Sequence, residues 1–182
     1  NEAIQVNIQL KPMVIQGQEV VISGSFTGTQ HENTVKISSI NTKDITRNVQ
    51  PSFIGSLAEV PGGSVVSKGP GVATPVIRGL SLSNILVLNN GIPMENFQFS
   101  QDHPYLVDGS GLSRIEIIKG PASLMYGSGA VGGVINLIAE PVAPEDRVEG
   151  EFSTKLYGNT LGANTELGIK GNKKGFVWGA NA

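Results

Sequence analysis

Residues 112–138, LSRIEIIKGPASLMYGSGAVGGVINLI, place two apolar, β-branched segments on either side of a short glycine-rich stretch. The segment SRIEIIKG is typical of a strand. GPASLMYG is a candidate short helix because proline suits a first helical turn, and GVINLIAEP again favours a strand. Between helix and second strand, Gly127, Gly129 and Gly132 have the G-x-G-x-x-G spacing of a dinucleotide-binding site. The spacing raises the question of whether the chain binds a nucleotide.

The order of elements around these glycines is the reverse of what a nucleotide site needs. A dinucleotide fingerprint follows a strand and opens a helix, because the phosphate lies on the free amides and positive dipole end of the helix N-terminus. Here the candidate helix comes before the glycines and a strand comes after them. We therefore predict that the glycines form a helix-to-strand crossing that needs positive φ angles and close backbone approach.

The composition of the 182-residue chain favours strands and loops over long helices. Aromatic residues make up only 5% and glycines number 24, so valine, isoleucine, leucine and alanine must supply most of the core. A net charge of -2 without a lysine or arginine cluster argues against a nucleic-acid partner. The absence of cysteine excludes disulfides and thiolate metal sites, and it suits either the cytosol or a Gram-negative envelope. Because no basic, signal-like segment begins the sequence at Asn1, we expect a mature or excised piece.

A compact pattern of alternating elements begins near Val35. TVKISSI predicts a strand, NTKDITRN a helix, and SFIGSLAEVPG a second short helix that ends at Pro61 and Gly62. PVIRGL and NILVLNNGIPM each predict a further strand. The long polar and aromatic stretch ENFQFSQDHPYLVDGSG then predicts a loop that is either functional or disordered. Upstream, AIQVNIQL predicts a strand, KPMVIQGQ a linker, and EVVISGS a second short β-branched segment.

The end of the chain alternates apolar and polar residues over long stretches. RVEGEFSTKLYG sets Val148, Phe152 and Leu156 on one face and charged residues on the other, and TLGANTELGIKG and GFVWGANA continue the pattern. Transmembrane barrel strands need about 9 to 11 residues that alternate in this way. A half-exposed hairpin of a soluble sheet would show the same alternation.

Several of these motifs, in this order, resemble the plug domain of TonB-dependent outer-membrane receptors. The motifs are SLAEVPGGSVV, PVIRGL, ILVLNNGIPM and the opening stretch, and the resemblance runs from about Glu19 to Glu140. It implies an α+β fold, a small mixed-sheet plug domain with short helices, followed by antiparallel strands from the start of a truncated transmembrane β-barrel. With that context the barrel interpretation of the last strands is favoured over the soluble hairpin.

The resemblance also implies a division of the chain into four parts. We expect residues 1–18 to end a preceding β domain, similar to a carboxypeptidase-regulatory-like domain, and to supply a linker. Residues 19–30 would hold the TonB-box region and a linker, residues 31–141 the plug, and residues 142–182 the first barrel strands. The implied contact with TonB is made by strand addition, in which main-chain hydrogen bonds supply affinity. The TonB-contact residues are then Glu19, Val20, Val21, Ile22 and Ser23, and the alternative for them is an ordinary edge strand.

Two groups of side chains are candidates for the receptor's contacts. The long loop would meet substrate through Phe97, Phe99, Asp102, His103 and Tyr105. Asp102 and His103 together offer a carboxylate and an imidazole, which suit a first-row metal such as zinc. In the alternative, Asp102 caps local amides and His103 is solvated. The resemblance further implies ion pairs between the inner barrel wall and Arg78, Arg114 and Glu116, with Lys119 a weaker candidate; the alternative is surface charges worth at most about 1 kcal/mol each.

The implied function is energised nutrient uptake rather than catalysis. Neither histidine nor any serine lies in a catalytic arrangement, which leaves no support for an enzyme. The expected partners are TonB with the ExbB and ExbD energy complex, the remainder of the chain's own barrel, and a small-molecule or metal substrate. The expected location is the outer membrane, with the N-terminus in the periplasm. We expect no resident cofactor, and a metal is an allowed cargo. A soluble α+β ligand-binding or protein-interaction module is the alternative.

Overall fold

The computed structural model of the protein describes residues 20–21, 28–29, 37–42, 53–69, 72–94, 109–158 and 161–182. The strands in these ranges are β1 Val20–Val21, β2 Gly28–Thr29, β3 Ile37–Asn41, β4 Gly63–Gly69, β5 Val72–Ile77, β6 Leu80–Ser81, β7 Ile85–Asn89, β8 Ile92–Pro93, β9 Leu112–Ile118, β10 Gly133–Ala139, β11 Arg147–Tyr157, β12 Gly162–Lys173 and β13 Phe176–Asn181. The 3₁₀ helices are Phe53–Glu59, Leu82–Asn84, Pro121–Tyr126 and Ser128–Ala130. Across these ranges no helix has the length and apolar character needed to span a membrane.

The largest sheet has five strands in the order β3-β9-β10-β7-β8. Its central strand β10 pairs parallel with β7 and antiparallel with β9. The outer pairs, β3 with β9 and β7 with β8, are antiparallel. A mixed sheet with short helices confirms the predicted α+β class, and the opening stretch supplies its two innermost strands.

One face of this sheet is apolar and buried. Strand residues point alternately to the two faces, so every second residue of β9, β10 and β7 reaches the same cluster. The 3₁₀ helix Phe53–Glu59 and the β4–β5 hairpin cover it. The cluster consists of Ile54, Leu57, Val60, Ala73, Ile77, Ile85, Val87, Leu112, Ile115, Ile117, Ile135 and Leu137. Each fully buried isoleucine or leucine contributes roughly 1.5–3 kcal/mol, so this face supplies most of the stabilisation.

The opposite face carries polar residues next to a smaller apolar cluster. At one end, Ile118 pairs with Ile37 on one side and Val134 on the other, and Ala130 packs against them. Farther along the strands, the next row across the sheet holds Ser39, Glu116 and Asn136. The sheet therefore has one face that forms a core and one that mixes a core with buried polar groups.

Two predicted strands are instead hairpins. NILVLNNGIPM forms β7 and β8 around a turn in which Asn90 and Gly91 have φ of 49° and 82°. Two consecutive positive φ angles match the twist of a two-residue hairpin, and Asn-Gly is the sequence that best tolerates them. PVIRGL likewise ends β5 and begins β6 around Arg78 and Gly79, with φ of 52° and 79°.

The predicted short helices have mixed outcomes. SFIGSLAEVPG and GPASLMYG both form short helices, and both are 3₁₀ helices. For NTKDITRN, Asn41 ends β3 and Thr42 is helical, whereas residues 43–48 lie outside the described ranges. The sequence analysis missed β4, which pairs with β5.

The last three strands form a separate antiparallel sheet in the order β11-β12-β13. β11 has 11 residues and β12 has 12, long enough for a tilted membrane-spanning strand. One face is apolar: Phe152 and Leu156 are 71% and 74% exposed, and Trp178 lies over Gly171 and leaves no room for a side chain there. The other face is polar and carries Glu149, Lys155, Glu166, Lys170 and Asn172. The predicted alternation is confirmed.

The glycine-rich crossing joins the two halves of the central sheet. Gly127 has a φ of 110°, and the amide of Gly132 donates to the carbonyl of Asn84 at 2.7 Å. A Cβ at Gly132 would lie 2.9 Å from that carbonyl oxygen and 2.9 Å from the Cβ of Leu80, so the site has no room for a side chain. A 3₁₀ helix precedes these glycines and β10 follows them, which is the order predicted for a crossing rather than a phosphate site.

We expect Gly132→Ala to destabilise the protein. The added methyl group meets backbone and a Cβ, neither of which can rotate away, so the cost should be about 1–3 kcal/mol, as for other overpacked sites. The urea midpoint of the chain in detergent, followed by circular dichroism, measures this change. Gly158→Ala is the matched control because nothing lies within 4 Å of a Cβ at that position. An equal midpoint for the two variants would show that the crossing tolerates a side chain.

Candidate functional site

The structure describes only part of the predicted site. Arg78, Arg114, Glu116 and Lys119 lie in described ranges, and so do Val20 and Val21 of the TonB-contact segment. The other predicted residues lie outside those ranges: Glu19, Ile22, Ser23, Phe97, Phe99, Asp102, His103 and Tyr105. The substrate-loop and metal predictions therefore stay predictions.

Strand β9 carries a buried ion pair. Arg114 and Glu116 are two residues apart and so share one face of the strand. The Nε of Arg114 donates to Oε1 of Glu116 at 2.9 Å, and their side chains are 18% and 0% exposed. A carboxylate so fully removed from water needs a cationic partner of this kind, because desolvation penalises its charged form.

Several polar atoms around this pair are buried without a hydrogen bond. They are Oγ of Ser39, Nη2 of Arg114 and the hydroxyl of Tyr126. Burial raises the pKa of the Tyr126 phenol above its ordinary value, and the negative charge of Glu116 raises it further. The neighbouring Asn136, by contrast, accepts a hydrogen bond from the Gly91 amide at 2.9 Å. We call Ser39, Arg114, Glu116 and Tyr126 the polar cluster.

Arg78 and Lys119 form a second basic group at the other end of β9. Arg78 lies in the β5–β6 turn, where its amide donates to the carbonyl of Gly62 at 2.9 Å and its guanidinium lies beside Gly120. Lys119 donates from Nζ to the carbonyl of Pro61 at 2.7 Å. Both cations are therefore placed on the turn that joins the first 3₁₀ helix to β4.

The structure does not bring all the predicted ion-pairing residues together. The guanidinium of Arg78 lies beside Gly120. Gly120 is six residues from Arg114 along an extended segment, so about 20 Å of chain separates the two arginine positions. Arg114 and Glu116 contact each other, whereas Arg78 and Lys119 form a separate group. Arg114 and Glu116 are therefore partners of each other, and Lys119 is held by the carbonyl of Pro61.

Part of the predicted TonB-contact segment pairs with a neighbouring stretch of its own chain. Val20 pairs antiparallel with Thr29, and Val21 with Gly28. Among the described residues this ladder is a two-stranded sheet, in which each strand pairs on one side. Strand addition uses the other side of such a strand.

The sequence analysis missed a polar contact between the two main sheets. Lys170, on the polar face of β12, donates to Oε2 of Glu140 at 2.8 Å and to the carbonyl of Pro141 at 3.2 Å. The alternation of β12 places Lys170 on the polar face, but no local pattern indicates its partner, because Glu140 is 30 residues away in the sequence. In the described ranges, no three His, Cys, Asp or Glu side chains come close enough together to hold a metal ion.

Residues 29–134 match the family described as TonB-dependent receptor plug domain. The chain is also 35% identical over 109 residues to a vitamin B12 transporter, BtuB, of Photobacterium profundum, an alignment that covers 59% of this chain and 18% of that protein. It is 32% identical over 127 residues to an iron-regulated outer membrane virulence protein of Vibrio cholerae, covering 65% of this chain and 19% of that protein. The chain thus spans about a fifth of the length of these relatives.

Solved structures show the same fold. The ferric enterobactin receptor of Pseudomonas aeruginosa, a mutant in complex with enterobactin, superposes with a TM-score of 0.59 at 25% identity, covering 76% of this chain and 23% of the receptor. The siderophore receptor PirA of Acinetobacter baumannii superposes with a TM-score of 0.58 at 23% identity, covering 74% of this chain and 21% of that receptor. The predicted resemblance is confirmed.

We expect Glu116→Gln to destabilise the protein by about 2 kcal/mol. The substitution leaves the Arg114 cation buried without its counter-charge, although the amide oxygen can still accept from Nε, which keeps the cost below that of full removal of the partner. The urea midpoint measures the change. Glu166→Gln is the matched control: its 3.7 Å pair with Lys155 is more exposed, at 23% and 18%, and should contribute less than about 1 kcal/mol.

The same variant has a second readout at Tyr126. Without the charge of Glu116, the pKa of this phenol should fall but stay above its ordinary value, because burial is the larger cause. Ultraviolet titration of phenolate absorbance follows it, and the difference from Tyr126→Phe assigns the signal among the three tyrosines. An unchanged midpoint together with an unchanged Tyr126 titration would contradict the ion pair between Arg114 and Glu116 and the effect of Glu116 on Tyr126.

Proposed function

The chain belongs to the TonB-dependent receptor plug domain family, and on that premise we propose that it forms the plug and first barrel strands of an outer-membrane transporter. The plug would occlude the barrel, contribute to substrate binding and couple to TonB for energised uptake. The observation that carries the proposal is the continuity between the two sheets. β10, the central strand of the plug sheet, leads within eight residues into strands with one apolar and one polar face.

The placement of the two faces supports a plug inside a barrel. The polar face of β11–β13 is the one that contacts the segment following β10, through Lys170 and Asn172. The opposite face exposes Val148, Phe152 and Leu156. Apolar residues that face outward and polar residues that face the plug are the arrangement of an outer-membrane barrel wall. A soluble module would leave those large side chains in water, which favours the transporter over that alternative.

Further strands are needed to complete such a wall. An open sheet edge in lipid leaves backbone donors and acceptors unpaired, at a cost of several kcal/mol each. The relatives are about five times longer than the part this chain matches. We infer that the remaining strands come from the same protein in the outer membrane, with the N-terminal segment in the periplasm.

The proposed cargo is a metal complex or a free metal ion. Two relatives carry names that refer to vitamin B12 transport and to iron regulation, and a third binds enterobactin. In this chain, Phe97, Phe99 and Tyr105 would supply apolar or stacking contacts, and Asp102 with His103 would supply oxygen and nitrogen ligands. The proposal assigns the plug no catalytic step and no resident cofactor.

The proposed contacts to the barrel wall use the basic residues of the plug. Arg78 and Arg114 would each pair with a carboxylate of the wall, because a guanidinium can hold a carboxylate through two parallel hydrogen bonds and stays charged when desolvated. Arg114 already holds Glu116 through its Nε, and the part of its side chain that is exposed, 18%, would make the contact. Lys119 is a third, weaker contact.

Energy would enter through the segment Glu19 to Ser23. Substrate at the long loop would alter plug packing and make this segment available to TonB, which the ExbB and ExbD complex powers from the proton-motive force. TonB would add a strand to the side of β1 that does not face β2 and pull the plug partly open. The pairing of Val20 and Val21 with residues 28–29 supports a segment that adopts strand conformation.

Deletion of residues 19–25 should abolish capture of the intact receptor by the C-terminal domain of TonB. Main-chain hydrogen bonds from this segment supply the affinity in strand addition, and no other segment would replace them. A pull-down from detergent extracts, with and without substrate, measures the change. Deletion of residues 11–17, in the linker just upstream, is the control and should leave capture intact. Equal capture by the receptor lacking residues 19–25 would contradict the assigned segment.

His103→Ala should weaken zinc binding by the intact receptor. Loss of an imidazole ligand should lower the affinity by roughly tenfold or more. Titration calorimetry with zinc alone measures the affinity. His31→Ala is the matched control, because His31 is the other histidine of this chain and lies outside the loop. Equal affinities for the two variants would exclude His103 as a ligand and favour the local turn as its role.

A further inference from the structure

The segment that follows β10, residues 140–143, contacts the polar face of the barrel strands. Lys170 lies between two carboxylates: its Nζ is 2.8 Å from Oε2 of Glu140 and 3.6 Å from Oε2 of Glu149. Glu149 lies directly opposite Lys170 on β11, whereas Glu140 follows the last residue of β10. The same ammonium also donates to the carbonyl of Pro141, so both of its hydrogen bonds are made at the junction between plug and barrel, and the longer ion pair with Glu149 lies within the barrel strands.

Two asparagines extend this contact. Asn172 donates from Nδ2 to the carbonyl of Ala143 at 3.1 Å, and Ala143 is 1% exposed. The side-chain amide of Asn181, on β13, lies over Gly111, in the space that a Cβ there would occupy. Lys170, Asn172 and Asn181 lie on one face of the barrel strands. Gly168 is on the same face of β12 as Lys170 and Asn172, and it lies directly opposite Asn181 on β13.

The residues at the end of β10 are also hydrogen-bonded to the plug sheet. The amide of Glu140 donates to the carbonyl of Gly111 at 2.8 Å, next to the start of β9. The amide of Ala139 donates to Oδ1 of Asn90 at 3.0 Å, in the turn after β7. The contact from Lys170 therefore reaches the end of the sheet at which β7 and β10 end and β9 begins.

Strand β3, at one edge of the sheet, is held differently. Within the described ranges, β3 pairs with β9 alone, through five residue pairs, whereas β10 pairs on both sides. Of the strands in this sheet, β3 is also the nearest in sequence to the segment proposed to contact TonB. An edge strand with one partner separates at lower cost than a central strand with two.

We propose that Lys170, Asn172 and Asn181 form a wall anchor, a set of positioning residues that hold the end of β10 and the start of β9 on the barrel strands while force acts on the edge strand β3. The idea rests on the proposed function, since it needs a plug inside a barrel. Lys170 is its central residue: it joins Glu140 of the plug exit to Glu149 of the wall, and the side chains of these pairs are 28–45% exposed, so that water screens each pair only in part.

Hydrogen exchange of the intact receptor, read by mass spectrometry, tests the anchor. In Lys170→Met, which keeps the length of the side chain and removes its charge, we expect about fivefold faster exchange in peptides covering residues 133–143, including the Glu140 amide. Peptides covering residues 37–41 should be unchanged. Lys170→Arg should restore most of the protection, because it returns the positive charge.

Lys155→Met is the matched control. Lys155 lies on the same polar face and pairs with Glu166 at 3.7 Å, within the barrel strands alone. Unchanged exchange at residues 133–143 in Lys170→Met would overturn the anchor. Equal acceleration at residues 37–41, or the same effect from Lys155→Met, would also overturn it, because a general loss of stability would then explain the result. Loss of TonB capture on deletion of residues 19–25 is scored separately, so failure of the anchor and failure of the proposed function give different results.

Discussion

The whole plug sheet depends on one close approach between two stretches of backbone. Gly132 donates its amide to the carbonyl of Asn84, and one residue later Gly133 begins the parallel ladder by pairing with Ile85. That single hydrogen bond fixes the register between β7 and β10. A slip of one residue would exchange the two faces of β10 and bring Asn136 into the apolar cluster in place of Ile135. A side chain at position 132 would hold the strands apart, so the glycine is required by packing and not by a phosphate.

Register in turn decides where buried charge lies. With β10 fixed, Asn136 stands beside Glu116, and Ser39 stands on the other side of the same residue. A buried ion pair is a poor source of stability, because desolvation of both charges offsets their attraction. The polar cluster, with three buried polar atoms that lack a hydrogen bond, is therefore a buried site that adds little to the stability of the sheet. Such a site suits a domain that opens locally.

Local periodicity in the sequence made much of this fold predictable. The rest depends on contacts between residues far apart in the sequence, which local patterns do not indicate. Alternation in RVEGEFSTKLYG and the position of the glycines in the crossing depend on neighbouring residues, and both predictions are confirmed. NILVLNNGIPM was wrong as one strand because its apolar residues suggest continuity, although Asn90 and Gly91 carry a hairpin signal. β4 was missed because its apolar content is low and glycines bound it. The contact of Lys170 with Glu140 spans 30 residues of sequence, and only the paired β11 and β12 bring those side chains together.

Strand β10 has additional hydrogen bonds at both of its ends, and this difference from β3 bears on how the plug could open. β10 is fixed at its entry by the Gly132 contact with Asn84, and near its exit the amide of Asn90 donates to the carbonyl of Leu137 at 2.8 Å. Lys170 then ties the following residue to the barrel strands. Within the described ranges β3 has one partner strand, β9, whereas β10 has two. Because local opening free energies follow the number of contacts that must break, β3 should separate from the sheet at a lower cost than β10. If the proposed pull by TonB acts on the N-terminal side, the edge strand β3 can therefore open while the end of β10 that Lys170 contacts keeps its register.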